Sequence, residues 1–176
     1  VKKGVHFLPL SQAKQEIPAL VAPMLFQSIH SLGGDPFVRW HRAGNAEGVF
    51  LHVPKGVALD GLLSVVHFTH AQNATLCPHA LCLLEENTQA SLVQSLHSLS
   101  PSPAFVCEET EIFLGKNAAL NHSGIQNLDT LVRCQRAQAA VLGEGARLRD
   151  FSTQLGAKLD RRECNVQLAG ARADAR

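Results

Sequence analysis

The sequence predicts a mainly β protein, a solenoid of stacked strands preceded by a short helical segment, and three observations carry that reading. Beyond Glu47 helical periodicity fades, and short runs rich in Val, Ile, Leu and Phe alternate with small and polar residues. A small motif, Ala followed two residues later by Leu, recurs at Ala74, Ala90, Ala118, Ala146 and Ala157, with Ala171-Arg172-Ala173 as a weaker copy; the steps are 16, 28, 28, 11 and 14 residues. Charged residues make up only 18% of the chain, against roughly 25% in ordinary soluble proteins. A unit of one short strand and one turn cannot bury its apolar face alone, and stacking copies of it solves the problem. An antiparallel sandwich is the alternative fold.

Taken in order, residues 1–46 read as a helical N-terminal segment. Ala13, Ile17, Leu20, Val21, Met24, Leu25 and Ile29 recur at three- and four-residue steps, which predicts an amphipathic helix from Ser11, the expected N-cap, to Ile29. Pro18 and Pro23 should bend or split it. Gly33-Gly34 ends this stretch, and Asp35-Pro36 opens a second helix through about Ala46.

Residues 47–176 read as the β-helix core. Strands of three to six residues are expected at Val49–Leu51, Leu63–Val66, Ala80–Leu84 and Ile112–Leu114. Their Val, Ile and Leu side chains should form a continuous interior column. Asn45-Ala46, Asn73-Ala74, Asn117-Ala118 and Gly145-Ala146 supply corners, because Asn and Gly tolerate left-handed backbone angles. The chain starts at Val1 and reaches Arg176 inside the repeating pattern, so the core is expected to be truncated at its C-terminal end.

Composition narrows the function. A net charge of +1, no Tyr and one Trp argue against nucleic-acid binding, which calls for a basic field and aromatic platforms. No apolar run is long enough to cross a membrane as a helix, and a cytoplasmic location is expected. Five cysteines at irregular spacings do not suit a closed disulfide framework. Cys77-Pro78-His79 with Cys82 is the nearest approach to a metal motif, yet it lacks a second ligand pair. Arg133 beside Cys134 would favour a thiolate, whereas Glu163 beside Cys164 would oppose one. The acid pairs Glu85-Glu86 and Glu108-Glu109 read as turn markers.

Among nine histidines, His67 and His70 are three apart and face opposite sides of a strand. Residues 1–132 hold seven Lys and Arg against ten Asp and Glu, and residues 133–176 hold nine against five. The late coils are therefore expected to present a basic strip of Arg147, Arg149, Arg161 and Arg162, suited to a partner. No phosphate loop follows Gly143-Glu144-Gly145, and no nucleophile elbow surrounds Ser123-Gly124. Neither a catalytic residue nor a metal ligand is assigned.

Four stretches in order carry a family resemblance. Gly48–Val57, with Val53-Pro54-Lys55-Gly56-Val57, is followed by Leu81–Val93, by Val106–Asn127, and by Phe151–Ala171 with Leu155-Gly156-Ala157-Lys158-Leu159 and Arg162-Glu163. Together they resemble the core of the SufB/SufD family of iron–sulfur cluster assembly proteins. No G-Q-F-E-R stretch precedes Leu81, which points to the SufD-like member. The resemblance implies a right-handed parallel β-helix and a scaffold role, without enzymatic activity of its own, alongside SufB-like and SufC-like ATPase subunits. It implies no cofactor in this segment, the cluster being handled by the full complex. The family residues proposed to handle sulfur or iron match no position here. A β-helical carbohydrate-active or acyl-transfer enzyme is the alternative, with His67 or His122 as first suspects. An open coil end predicts that the chain self-associates.

Overall fold

The computed structural model describes residues 4–27, 36–44, 47–70 and 72–176. It is a parallel β-solenoid of about four turns, built from two sheets that face each other. The first sheet runs β1 (His6–Pro9), β2 (Glu47–Val53), β5 (Pro78–Leu84), β7 (Ala104–Leu114), β9 (Val132–Leu142) and β11 (Leu159–Leu168), with β4 (Ala74–Leu76) also paired to β7. The second runs β3 (Leu63–Thr69), β6 (Gln89–Ser98), β8 (Ala119–Asn127), β10 (Arg147–Gln154) and β12 (Asp174–Ala175). All pairings are parallel except β1 against β2.

Each coil therefore returns the chain to the same sheet after about thirty residues: Glu47 pairs with Pro78, His79 with Glu109, Ala119 with Arg147, and Cys134 with Asp160. The 28-residue step between Ala118-Ala119-Leu120 and Ala146-Arg147-Leu148 is one such turn, because Leu120 pairs with Leu148. The other copies of the motif are not equivalent. Ala90 pairs with Leu120, two residues out of phase, and Ala74 and Leu159 belong to the first sheet rather than the second. Coils of unequal length slide a three-residue motif around the circumference, so only neighbours one true turn apart align.

The corners behave as left-handed backbone requires. Asn73, Asn87, Asn117 and Gly145 have φ of 55°, 57°, 55° and 64°; Asn45 lies outside the described residues. Asn117 Nδ2 donates to Asn87 Oδ1 at 3.1 Å, stacking one corner on the next. At Gly145 a Cβ would stand 2.5 Å from Asn117 Oδ1, so a side chain there would have to push the Asn117 amide aside, whereas Gly takes the left-handed angle without doing so.

Strands run longer than predicted, to 11 residues in β7 and β9, because charged residues inside them find partners within the fold. One end of the interior is an apolar column. Leu51, Val53, Leu84, Ile112 and Leu142 of the first sheet meet Leu92, Leu120 and Leu148 of the second, each such side chain worth about 1.5–3 kcal/mol on burial. The far end closes with Leu96, Val106, Leu128, Val132 and Cys134. Between them the column is not continuous, and a polar layer interrupts it.

The N-terminal segment covers the outside of the first sheet. α1 (Leu10–Glu16) and α2 (Pro18–Val21) are separated at Ile17, and Pro18 occupies the first position of α2, where its missing N–H costs nothing. α1 begins at Leu10 with Pro9 as its N-cap residue, not Ser11. β1 was not foreseen, as a four-residue stretch ending in Pro carries no alternation. Leu10, Ala13 and Val21 pack on Phe50 and Leu81, so β2 and β5 are buried on both faces and lose the inside/outside alternation of a half-exposed strand. α3 (Pro36–Ala43) lies against β7, with Val38 and His41 buried. The predicted end of the first helix and Gly33-Gly34 lie outside the described residues.

Candidate functional site

Two buried polar clusters occupy opposite faces of the first sheet. Their division follows from strand geometry: along β7 successive side chains alternate, so Val106, Glu108, Thr110 and Ile112 enter the coil while Glu109 and Glu111 face out. The acid pair Glu108-Glu109 is thus in mid-strand and split between two sites, not a turn. Glu85-Glu86 does mark a turn, where Lys55 pairs with Glu86 and His52 with Glu85.

The outer cluster is assembled by α3 and by two consecutive coils. His79 and Glu109 are register partners on β5 and β7, and His41 descends on them from α3. All three are essentially inaccessible to solvent. His41 Nδ1 donates to the Cys107 carbonyl at 2.7 Å, leaving His41 Nε2 facing His79 Nδ1 at 3.0 Å. On its far side His79 Nε2 meets Glu111 Oε2 at 3.1 Å. Three short contacts in a row need one hydrogen each.

Arg42 holds the neighbouring carboxylate. Its Nη2 reaches Glu109 Oε1 at 2.7 Å, and its Nη1 donates to the Phe26 carbonyl at 3.2 Å. Glu109 Oε2 is turned toward the imidazoles, 3.8 Å from His41 Nε2 and 4.0 Å from His79 Nδ1. Phe26 closes the cluster: its N–H donates to Glu111 Oε2 at 2.7 Å, and its ring meets His79 edge-on, with the centroids 5.2 Å apart. Its φ of 63° is unusual for a bulky side chain, and these contacts over-determine it. Burial lowers the pKa of His41 below the usual histidine value, outweighing the carbonyl hydrogen bond and Glu109. His41 Nε2 is accordingly a lone pair aimed at the centre of the cluster.

The inner cluster lies within the solenoid. Arg136 grips Asp160 through two bonds of 3.1 and 2.8 Å. Arg162 pairs with Asp150 and reaches Gln138 at 3.0 Å. His122 sits between Asp150 at 2.6 Å and Gln94 at 2.8 Å. Glu108 closes the ring, and burial raises its pKa above the usual range despite nearby Arg136. Burial pushes Asp150 the same way, but His122 and Arg162 outweigh it and hold the carboxyl at about 2. Among these groups a cavity of about 20 Å³ remains, room for about one water. Gln94 Nε2 and Gln138 Nε2 border it without a hydrogen-bond partner among the described residues. Because the partners sit on successive strands, a one-residue slip would break every pair.

Cys82 points into the apolar core while His79 points out, so the Cys77–Cys82 stretch forms no shared site. Cys134 faces inward, away from Arg133, and burial drives its thiol upward. Cys82 is pushed up to about 12 by burial, and Cys164 is also raised. The four arginines do not form a strip. Arg147 and Arg149 lie on β10, Arg161 and Arg162 on β11 of the opposite sheet, and Arg162 turns inward. His70 is exposed, and His67 lies beside a cavity at the first coil with Trp40 and Cys77. His122 is enclosed with Gln94 and Asp150 rather than displayed on an outward strand face.

His41, Glu109 and Glu111 escaped the sequence reading. A usable signal existed: Glu109 and Glu111 share one strand face by alternation, and His79 stands 30 residues before Glu109, one coil earlier. Nothing in the sequence says that α3 lies on that face.

The comparisons place this architecture among known proteins. Residues 67–176 match the family model described as SUF system FeS cluster assembly, SufBD core domain. The chain is 24% identical over 129 residues to the iron–sulfur cluster assembly protein SufD of Bacillus subtilis, covering 73% of this chain and 30% of that protein. It is 23% identical over 163 residues to the iron–sulfur cluster assembly SufBD family protein of Pyrococcus horikoshii, covering 89% of this chain and 35% of that protein. The chain thus spans about a third of the length of each of these relatives. With well over half its residues matched to the core domain, and with the stacked parallel coils the resemblance implied, the chain belongs to the SufBD core family of the SUF iron–sulfur cluster assembly system.

Proposed function

We propose that this chain is the core of a SufD-like scaffold subunit, which works in the cytoplasm through a complex with SufB-like and SufC-like ATPase partners and catalyses no reaction itself. The observation that carries the reading is the family match along residues 67–176, joined to a SufD relative that covers 73% of the chain. The missing G-Q-F-E-R stretch before Leu81 supports the SufD-like rather than the SufB-like assignment. No helix of the described residues is long and apolar enough to cross a membrane.

The chain is also expected to self-associate through exposed apolar side chains: Phe151, Leu155, Leu159 and Leu168 are each more than half exposed.

The test is affinity purification of the full protein encoded around this chain, co-expressed with SufB-like and SufC-like proteins. Stoichiometric recovery of both is expected. A partner complex that forms without it, with cluster assembly intact after its deletion, would overturn the proposal.

A further inference from the structure

We propose that His41, His79 and Glu109 form a binding site for one divalent transition ion of the zinc or iron(II) class, which fastens α3 to the outer face of the solenoid. This inference is independent of the scaffold reading, and its test uses metal ions alone.

The geometry is that of a ligand set. The three atoms that converge are His41 Nε2, His79 Nδ1 and Glu109 Oε2, separated by 3.0, 3.8 and 4.0 Å. A point equidistant from all three lies about 2.1 Å from each, matching the 2.0–2.2 Å of zinc–imidazole and zinc–carboxylate bonds. That point falls within the triangle of donor atoms, so further ligands would approach from above and below its plane. Two imidazoles and one carboxylate are the donor types that suit zinc or iron(II); calcium and magnesium prefer all-oxygen shells.

The outer contacts point the same way. Ligating histidines characteristically donate their second ring N–H to a carbonyl or carboxylate. His41 does so to the Cys107 carbonyl, and His79 to Glu111. Both rings are therefore oriented so that their remaining nitrogens face one another. Arg42 holds Glu109 mainly through Oε1, turning Oε2 toward the histidines.

Proton balance makes the exchange simple. Three hydrogens span the contacts from the Cys107 carbonyl through His41 and His79 to Glu111. The middle one lies between His41 Nε2 and His79 Nδ1. A metal ion entering there displaces that proton to solvent and leaves the other two in place, each pointing away from the ion. No electron is transferred and no other bond is broken.

The experiment strips the purified chain with chelator and titrates it with Co²⁺, then Zn²⁺. One equivalent of Co²⁺ should bind with a visible d–d spectrum, be displaced by Zn²⁺, and leave a higher melting temperature. His41→Gln and Glu109→Gln should each weaken binding at least tenfold, Glu111→Gln should weaken it 10–100-fold, and His122→Gln in the inner cluster should leave it unchanged. Absence of Co²⁺ binding to the wild-type chain, or full affinity in both His41→Gln and Glu109→Gln, would overturn the proposal. If those variants fail to fold, X-ray absorption of the Co²⁺-loaded wild type decides. Two imidazole nitrogens with oxygen support the site; a sulfur ligand or fewer than two imidazoles refutes it.

Discussion

Glu108 and Glu109 are neighbours in sequence and belong to different worlds. Glu108 joins a charged layer inside the coil, where its surroundings come from both sheets: Gln94 and His122 on β6 and β8, and Arg136 and Arg162 on β9 and β11. Glu109 looks outward into a cluster completed by a helix that lies more than sixty residues earlier in the chain. The inner cluster follows from stacking alone, whereas the outer one exists only because the N-terminal segment folds back. The inner layer should therefore govern whether the solenoid forms in register, and the outer cluster whether the helices stay attached.

Removing one arginine from each cluster tests that division most strongly. Arg136→Leu leaves Asp160 and Glu108 enclosed without their cation, and should cost about 3–5 kcal/mol. Urea unfolding should show loss of the whole β signal. Arg42 is about a quarter exposed, and Arg42→Leu should cost less, about 1–3 kcal/mol, with proteolysis near α3 preceding global unfolding. Equal losses with identical cleavage patterns would erase the distinction between the clusters.

Gly48 offers a second test, because it lies beneath the outer site. A Cβ there would stand 1.8 Å from the His79 carbonyl oxygen, so β2 or β5 must shift. Gly48→Ala should cost about 2–3 kcal/mol and displace the His79 ring. Its side-chain NMR resonances should move, while those of His122 in the inner layer stay.

Acid titration should separate the clusters by a smaller effect. The His41 pKa in the folded chain lies below its ordinary 6.5, so the unfolded chain binds the proton more readily and stability falls as pH drops below 6.5. Buried His67 shifts the same way and adds to this step. Asp150 is held at about 2 against an ordinary 3.8, so its contribution is complete above 3.8 and is lost between there and 2. Glu108, raised by burial, acts in the opposite sense and gains as pH falls. Urea midpoints across this range should decline in two steps, with His41→Gln flattening the upper and Asp150→Asn the lower. A single step near pH 4 in every variant would contradict the assignment.

Much of the architecture was legible in the chain. The 28-residue step from Ala118 to Ala146 is a true coil, and Asn73, Asn117 and Gly145 adopt the left-handed corners their residue types suggested. Pro18 splits the first helix as its geometry demands. The low charge content fits a chain with so much of its length stacked inside. The interior departs from the predicted apolar column where Glu108, Arg136, Asp150, Asp160 and Arg162 interrupt it. Each looks like an ordinary surface charge until its partner, one coil away, is aligned with it.

The sequence by itself determined the solenoid, its corners and its family, because these depend on local backbone preferences and on a period that recurs along the chain. The tertiary structure decided which side chains meet. Strand alternation sends Glu108 and Glu109 to opposite faces, coil length pairs His79 with Glu109, and the packing of α3 brings His41 down onto both. Contacts of that kind depend on the exact number of residues per turn and on where a distant helix lands, and no local pattern encodes either.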